Sequence, residues 1–510
     1  MVYGIAASVA VFTVYRMALL SLFFQQEEYD GGRFLALALK RLRLVDKKLA
    51  AVLAIITGAS LLLPVCGVVY AVLYALSFVV FAMIDRRRVA SAKKALALTV
   101  RLRRIWFAAF VLAGVSGVAF YRLIGAWGLI AYVECLPLFL VLGNLVLTPV
   151  EKYIQSRIIA EAKEKLHSLN PVVIGITGSY GKTSVKHILA HILSFVTPTL
   201  HTPGSVNTMM GISRVIREKL SAEHKYFLVE MGAYGIGSIE RLCEFTSPKH
   251  GILCAVGDSH YERFKTIENV ARAKFELGSY AKQGVFAVNG YRVRSDFIDK
   301  YAPSGTLVLG RDLTVTDKRT TTEGIEFTFL YQGNSYVVKA PLFGLHHVEN
   351  IALVILFCLK LGIAADVIIE SVKTLPQITH RLEVIKSGEI TYIDDAYNSN
   401  PAGFRAALEV LAVFKNAGRR TILVTPGMVE LGELHDKAHA EVGMLARECA
   451  DEILVIGAER IKTFVDAAEK AVPFPDLKSA KEWITANSRA GDVILFENDL
   501  PDLYENKTVL

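Results

Sequence analysis

Long, almost uncharged apolar runs fill the first 150 residues, whereas the rest of the chain alternates short apolar segments with polar ones. Five of the runs are each roughly long enough to cross the ~30 Å hydrocarbon core of a bilayer as a helix. They are residues 2–24, 49–63, 67–84, 105–121 and 126–147. Only residues 64–66 separate the second run from the third, so Pro64 is predicted to form the turn of a helical hairpin. The pattern predicts a helical membrane region with five spans.

Basic residues are concentrated in two connections of this region, residues 25–48 and 85–104. The first 150 residues carry sixteen Lys and Arg against six Asp and Glu, whereas the whole chain has a net charge of +8, so the remainder is slightly acidic. Basic connections stay on the cytoplasmic side of a membrane. The N-terminus is therefore predicted outside the inner or plasma membrane, with everything after residue 149 in the cytoplasm. This distribution argues against a nucleic-acid partner.

Composition supports a membrane protein whose larger part is cytoplasmic. The chain is 53% hydrophobic and only 21% charged, which is too apolar for an ordinary soluble enzyme of 510 residues. Its six cysteines have no C-x-x-C spacing, which indicates neither a disulfide framework nor a cysteine zinc site. Segment 34–44 interleaves apolar and basic residues. A helix in the lipid headgroup layer and a solvated basic loop explain that segment equally well.

A phosphate-binding loop follows the membrane region. Residues 171–176 are predicted to form a short buried strand, and a helix is predicted from Val185. Between them the chain reads Thr177, Gly178, Ser179, Tyr180, Gly181, Lys182, Thr183 and Ser184. In this order, backbone N–H groups and a helix N-terminus face the anion, the lysine reaches the β/γ-phosphates, and the threonine can hold Mg²⁺. ATP and Mg²⁺ are the predicted ligands, although Ile176 stands where the strict motif has its first glycine.

Strands and helices alternate over residues 172–361 and again from residue 390, which predicts two α/β units with mainly parallel sheets. Short antiparallel strands are predicted between them, within 306–338, with a turn at Gly333 and Asn334. The predicted organisation is a transmembrane region (1–150), a linker helix (151–170), a P-loop ATPase-like central domain (171–376) and a Rossmann-like C-terminal domain (377–510). We expect the active site in the cleft between the last two domains.

The loop variant T-G-x-x-G-K-T resembles the Mur ligase family, and further motifs of that family follow in the same order. They are S-V-N-T-M-M-G with Asn207, E-M-G-A with Glu230, D-S-H-x-x-x-F with His260, A-R-A-K-F-E with Lys274, G-L-H-H-V-E-N with Asn350, and D-D-A-Y-N-S-N-P with Asp395. Over residues 171–460 the chain is most similar to the branch that adds D-alanyl-D-alanine. The resemblance implies an ADP-forming ligase that joins an amine to a carboxylate through an acyl phosphate.

The resemblance also implies roles for individual residues. The implied catalytic residues are Lys182, Lys274, His260 and Arg381. The implied metal ligands are Thr183, Glu230, His260 and Lys274, the last as the lysine that the family carbamylates to N6-carboxylysine. The implied nucleotide contacts are the loop residues together with Asn207, Asn350, Arg381 and Asp395. The implied contacts to the incoming amine are Asn398, Asn400 and Pro401. A plain surface lysine at 274 and a structural histidine at 260 are the alternatives.

The chain also departs from the family pattern. Gly427 replaces an aspartate, residues 496–502 replace a late K-G-S segment, and His347 and His380 stand where the family has Asn and Gly. The added amino acid or short peptide is therefore not carried over. Predicted spans replace the family's soluble acceptor-binding domain, so we expect a membrane-bound, lipid-linked peptidoglycan precursor as acceptor. The alternatives are a soluble nucleotide-linked precursor with the helices as an anchor, and an ATP-binding membrane scaffold without ligase activity.

Overall fold

A computed structural model describes residues 2–27, 29–41, 47–62, 67–90, 95–257, 264–396, 400–429 and 431–498. Residues 1–156 form one compact unit and residues 157–500 form another. The first unit is built from helices, and the second from two α/β domains with a small antiparallel sheet. These two α/β domains agree with the predicted fold.

Six helices begin within the described residues of the first unit, and the last of them continues past residue 156: Val2–Gln26, Gly31–Arg41, Lys47–Leu62, Gly67–Ala90, Val100–Ile124 and Trp127–Leu169. Four of them are long and apolar enough to cross a membrane, namely residues 4–26, 67–90, 100–124 and the helix from 127. The helix Lys47–Leu62 has 16 residues and extends about 24 Å. It is shorter than the ~30 Å hydrocarbon core, so the count of five spans stays a prediction.

The predicted helical hairpin is confirmed on both sides of its turn. Thr57 Oγ1 lies 2.6 Å from the Tyr74 hydroxyl, and the Tyr70 hydroxyl donates to the carbonyl oxygen of Ala59 at 3.1 Å. Contacts of residue 57 with 74 and of 59 with 70 require antiparallel helices. Pro64 itself lies outside the described residues.

A buried ion pair joins the helices Val2–Gln26 and Gly67–Ala90. Arg16 Nε lies 2.8 Å from Asp85 Oδ2, and both side chains are at most 3% exposed. Arg88 approaches the other carboxylate oxygen at 3.5 Å. Charges removed from water need such partners, so loss of either side chain would leave the other charge buried and uncompensated. The sequence placed Asp85 in the connection 85–104 and did not indicate this pair.

The segment 34–44 is helical as far as Arg41, and residues 42–46 lie outside the described residues. Phe34 is fully buried and its ring centroid lies 5.0 Å from that of Phe24. This contact favours the helix over a solvated loop. A position in the headgroup layer stays a prediction.

The predicted linker helix is not a separate element. Residues 151–169 continue the helix Trp127–Leu169, which is 43 residues long and contains Pro137 and Pro149. Proline removes one backbone donor and usually kinks or ends a helix, which is why the sequence suggested a boundary near Pro149.

The central sheet has the strand order β2-β3-β1-β4-β5-β6, with every pair parallel. Its strands are β1 (Val172–Thr177), β2 (Thr199–His201), β3 (Tyr226–Glu230), β4 (His250–Leu253), β5 (Phe286–Asn289) and β6 (Leu307–Leu309). Apolar clusters cover both faces, as the unbroken apolar runs of parallel strands require. The surrounding helices are Lys182–Val196, Met209–Lys219, Ser238–Thr246, Ile267–Tyr280, Ser295–Tyr301, His346–Lys360 and Ala365–Lys373.

Three antiparallel strands follow: β7 (Thr314–Thr321), β8 (Gly324–Tyr331) and β9 (Asn334–Ala340). Two details differ from the prediction. Residues 307–309 form β6 of the parallel sheet, so the antiparallel strands begin only at Thr314. The turn residues are Gln332 and Gly333, with φ of 49° and 80°. Tyr331 pairs with Asn334, which therefore already belongs to β9.

The C-terminal sheet has the order β10-β11-β15-β12-β13-β14, and only the edge pair β10–β11 is antiparallel. Its strands are β10 (Glu383–Ser387), β11 (Ile390–Asp395), β12 (Thr421–Thr425), β13 (Glu452–Ile456), β14 (Ala471–Phe474) and β15 (Val493–Glu497), and its helices are Pro401–Asn416, His435–Cys449, Lys462–Ala468 and Leu477–Asn487. The carboxyl ends of β11, β12 and β15 meet at one edge, where ligands of such sheets bind.

Candidate ligase site

The phosphate loop has the predicted strand, loop and helix order. β1 ends at Thr177, and the helix Lys182–Val196 begins at the lysine. Gly181 has a φ of 80°, and a Cβ there would lie 2.9 Å from Asn350 Oδ1. Only glycine adopts this conformation without strain and leaves room for the asparagine. The Ser179 hydroxyl exchanges hydrogen bonds with the backbone of Gly257 at 2.9 and 3.0 Å, which fixes the loop.

Lys182 folds along this loop and donates from Nζ to the carbonyl oxygen of Gly178 at 2.7 Å. Burial lowers the pKa of Lys182, the nearby Arg381 guanidinium lowers it further, and Glu230 opposes both effects. The loop therefore concentrates positive charge where phosphates would bind.

Glu230 ends β3 and points at the phosphate-loop helix. Its Oε2 accepts from Thr183 Oγ1 at 3.0 Å and from Lys186 Nζ at 2.9 Å, and its Oε1 accepts from Asn207 Nδ2 at 3.3 Å. A hydroxyl and a carboxylate side by side are oxygen donors of the kind that Mg²⁺ takes. The structure thus brings three predicted residues together. The oxygen atoms of Thr183 and Glu230 fit the metal, and Asn207, which was predicted to contact the nucleotide, donates to the carboxylate.

Lys186 is a site residue that we did not predict. It is fully buried beside Glu230. A signal was present in the sequence, because the residue lies three and four positions after Thr183 and Lys182, and such residues share a helix face. A lysine among Val185, Ile188 and Leu189 needs a buried partner.

Lys274 lies on the helix Ile267–Tyr280 and is 3% exposed. The surface-lysine alternative is therefore wrong. Burial, with Lys182 as a second cause, lowers the pKa of Lys274 to about 7. Glu276, from the same motif, caps another helix by accepting from the backbone N–H groups of Gly237, Ile239 and Glu240. His260 lies in 258–263, outside the described residues, and its role stays a prediction.

Asn350 lies in the first turn of the helix His346–Lys360 and is 6% exposed. The neighbouring His347 is buried, and burial holds its pKa well below the usual range, so its ring is neutral. Glu349 anchors this turn by a two-point ion pair with Arg292, at 2.5 and 3.0 Å.

The C-terminal α/β domain contributes Arg381 and Asp395 to the candidate site. Arg381 lies close enough to act on the pKa of Lys182 and of Lys186. Its positive charge therefore acts on the phosphate-loop lysines, and its contact with nucleotide stays a prediction. The backbone N–H of Leu382 donates to Asp395 Oδ1 at 3.1 Å. Burial raises the pKa of Asp395 to about 6, and Glu497 faces it across the β11–β15 ladder.

The predicted amine-binding segment is only partly described. Asn398 lies in 397–399, outside the described residues. Asn400 caps the helix Pro401–Asn416 by accepting from the N–H groups of Ala402 and Gly403 at 3.1 and 3.0 Å, and Pro401 is its first residue. Contacts of these residues with an amine stay predictions.

Gly427 has a local explanation. Its φ is 74°, and a Cβ there would lie 2.8 Å from His439 Nε2 and 2.8 Å from a methyl group of Ile461. The aspartate of the family pattern would not fit. His439 instead accepts from the N–H of Met428 at 3.0 Å, and Asn498 donates to the Gly427 carbonyl at 2.6 Å.

Fold and site together define a nucleotide-binding protein with two α/β domains and a phosphate loop. Residues 176–358 match the Mur ligase middle domain, and residues 380–497 match the Mur ligase, glutamate ligase domain. The UDP-N-acetylmuramoyl-tripeptide--D-alanyl-D-alanine ligase of Mycobacterium bovis is 30% identical over 354 residues, which are 63% of this chain and 69% of that protein. The chain belongs to the Mur ligase family, whose members are ATP-dependent ligases that form carbon–nitrogen bonds. The resemblance seen in the motifs is confirmed.

Other relatives agree. The Escherichia coli protein of the same name is 31% identical over 298 residues, which cover 56% of this chain and 65% of that protein, just under two thirds of its length. MurF from Acinetobacter baumannii superposes with a TM-score of 0.61 at 25% identity, over 68% of this chain and 78% of that one. MurF ligase from Thermotoga maritima in complex with ADP gives 0.59 at 25% identity, over 68% and 80%.

Proposed function

We propose that this protein is an ATP-dependent, ADP-forming amide ligase of peptidoglycan precursor synthesis that works at the cytoplasmic face of the inner or plasma membrane. One observation carries the proposal. Thr183 bonds to Glu230 at the start of the phosphate-loop helix, and Lys182 interacts electrostatically with both Arg381 and the buried Lys274, in a chain of the Mur ligase family.

The first step is transfer of the γ-phosphoryl of ATP to an acceptor carboxylate, with release of ADP. Two anions must approach each other, so the site has to neutralise charge. Lys182 and Arg381 supply positive charge from the two α/β domains. Thr183 and Glu230 would hold Mg²⁺, which would neutralise phosphate charge. An amine then attacks the acyl carbon, an amide forms and phosphate leaves.

Lys274 would support the same chemistry after conversion of its amine to a carbamate. With a pKa of about 7, a substantial fraction of its amine is neutral at physiological pH. A neutral amine adds carbon dioxide and loses a proton to give a carbamate. The resulting N6-carboxylysine would turn a buried cation into an oxygen ligand beside Lys182.

The acceptor that the chain suits best is lipid-linked. Remote binding of an acceptor orients its reacting carboxylate, and four long apolar helices occupy the sequence before the phosphate loop. A single transmembrane helix already anchors a protein. Arg86, Arg87 and Arg103 are exposed at the predicted cytoplasmic ends of two of these helices. Such groups attract the diphosphate of a polyprenyl-linked precursor.

A soluble, nucleotide-linked acceptor is the second candidate. It is favoured by the relatives, which are named as ligases of a UDP-N-acetylmuramoyl tripeptide. The helices would then be an anchor. The amine is left as an amino acid or short peptide, because Gly427 and residues 496–502 depart from the family pattern.

The experiment compares acceptors on the full chain in lipid nanodiscs. ADP release is measured with a lipid-linked and a nucleotide-linked muramyl peptide, each with D-alanyl-D-alanine or single amino acids, and products are identified by mass spectrometry. We expect acceptor-dependent ADP release and an amide product, faster with the lipid-linked acceptor. Faster turnover of the nucleotide-linked acceptor would overturn the lipid assignment. Nucleotide binding without ADP release under any combination would indicate the scaffold and overturn the ligase assignment.

A further inference from the structure

Among the described residues, the most completely buried ion pair near the phosphate loop joins Lys186 to Glu230. The ligase chemistry does not itself require this pair. Lys186 is 0% exposed and Glu230 is 1% exposed. Lys186 Nζ donates to Glu230 Oε2 at 2.9 Å and also to the carbonyl oxygen of Gly204. One ammonium group therefore joins the phosphate-loop helix, the end of β3 and the loop after β2.

The carboxylate of Glu230 is fully engaged in this arrangement. Thr183 and Lys186 donate to one oxygen, and Asn207 donates to the other. A divalent cation at this carboxylate would lie beside the Lys186 ammonium, and the two positive charges would repel each other at short range in a medium of low dielectric constant. The same ammonium makes a buried carboxylate tolerable when no metal is bound.

We propose that Lys186 is a positioning residue that acts as the internal counter-ion of Glu230. It holds the carboxylate against Thr183 and keeps this position weak for free divalent cations, so that the metal binds together with nucleotide. Nucleotide phosphates would add oxygen ligands and negative charge that offset the ammonium. The inference rests on the proposed function only in taking Thr183 and Glu230 as the metal position.

The test uses Mn²⁺ alone as the probe, with the full chain in detergent and without nucleotide or acceptor. Binding is followed by the electron paramagnetic resonance signal of free Mn²⁺. Lys186→Met removes the charge and keeps much of the length, whereas Lys186→Arg keeps the charge. We expect at least tenfold tighter Mn²⁺ binding in Lys186→Met than in the wild type, and binding within threefold of the wild type in Lys186→Arg.

Two further variants assign any gain to this carboxylate. Lys186→Met with Glu230→Gln should lose the tighter binding. Lys300→Met, which breaks the exposed Lys300–Glu268 pair, should leave Mn²⁺ binding unchanged. Equal Mn²⁺ affinity in the wild type and Lys186→Met, or a gain that survives Glu230→Gln, would overturn the proposal.

Folding is checked by thermal unfolding, and Lys186→Gln replaces the methionine variant if that protein does not fold. If neither folds, the wild type decides. Mn²⁺ should then bind at least tenfold more tightly with ADP present than alone, and affinities within twofold would contradict the inference. No readout uses an acceptor, so a failed ligase assignment and a failed counter-ion assignment give different results.

Discussion

Both units of this chain bury charged side chains, but with opposite charge balance. In the helical unit the buried Arg16 lies 2.8 Å from the buried Asp85, and the partly exposed Arg88 lies 3.5 Å from the same carboxylate, so one buried cation meets one buried anion. Around the phosphate loop, the buried carboxylate of Glu230 interacts with Lys182 and Lys186, and Lys274 interacts in turn with Lys182. A buried pair of opposite charges is neutral as a whole and needs no bound ion. A surplus of positive charge is stable when an anion is bound, which is why the second pattern indicates a phosphate site and the first does not.

The sharpest way to break this comparison is to remove the lysine that faces the phosphates. Lys182→Ala should lower the rate of acceptor-dependent ADP release on the order of 10³-fold or more, because charge in the phosphoryl transition state loses its partner. Expression and membrane extraction should match the wild type. Turnover within tenfold of the wild type would show that the surplus charge is not catalytic.

Variants of Lys274 show whether this lysine is catalytic or only buried. Lys274→Ala and Lys274→Arg should each reduce activity on the order of 10²-fold, since neither can carry a carbamate and losses of this size follow damage to a metal site. A short carboxylate such as acetate should partly restore Lys274→Ala.

The pH dependence follows from the lowered pKa of Lys274, about 7. Only the neutral amine reacts with carbon dioxide, so activation of bicarbonate-depleted enzyme by added bicarbonate should increase as pH rises through about 7. Full activity of Lys274→Arg, or activation that falls with rising pH, would show that no carbamate is needed.

In the helical unit, breaking the matched pair should affect stability rather than chemistry. Arg16→Met leaves Asp85 buried beside the more distant Arg88 and should cost about 3 kcal/mol of unfolding free energy. Arg16→Met combined with Asp85→Leu should recover most of that loss. The exposed pair Arg214–Glu218 is the control, and Arg214→Ala should cost less than about 0.5 kcal/mol. Denaturant unfolding in detergent, followed by the fluorescence of Trp106 and Trp127 in the helical unit and of Trp483 in the other, measures all three, and equal losses for Arg16 and Arg214 would contradict the comparison.

The smallest expected effect concerns Asp395. Burial raises its pKa to about 6 in the folded protein, above the value near 3.9 of an unfolded chain. The folded state therefore binds more protons between those values, and this group should lower stability as pH rises from about 4 to about 6. Asp395→Asn should remove that decline, which is at most about 1.4 kcal/mol per pH unit, and weaken ATP binding. Identical slopes of unfolding temperature against pH in both proteins would count against the raised pKa.

The parts of the fold that follow local rules could be predicted from the sequence. β1, the phosphate loop and the helix from Lys182 combine an apolar strand, glycines and a helix start within a few residues. The hairpin between Lys47–Leu62 and Gly67–Ala90 was indicated by one proline. Local signals failed at boundaries, as at Pro149, where the helix continues, and at Asn334, which the ladder places in β9.

Residues that depend on pairing across the sheet or between helices could not be found in this way. Glu497 was not predicted, because its place opposite Asp395 depends on the β11–β15 register. Asp85 was assigned to a loop, since nothing local shows that Arg16 lies beside it. Lys186 was the missed residue with a local signal, a charged position on the buried face of an amphipathic helix.

The most direct test of the ligase mechanism follows oxygen atoms. An acceptor labelled with ¹⁸O in both carboxylate oxygens is turned over by the full chain with ATP and the amine, and the phosphate is analysed by mass spectrometry. An acyl phosphate carries one labelled oxygen as its bridging atom, and amine attack breaks the carbon–oxygen bond. The account predicts one ¹⁸O atom in each phosphate released and one in the amide carbonyl. Unlabelled phosphate together with an amide product would contradict it.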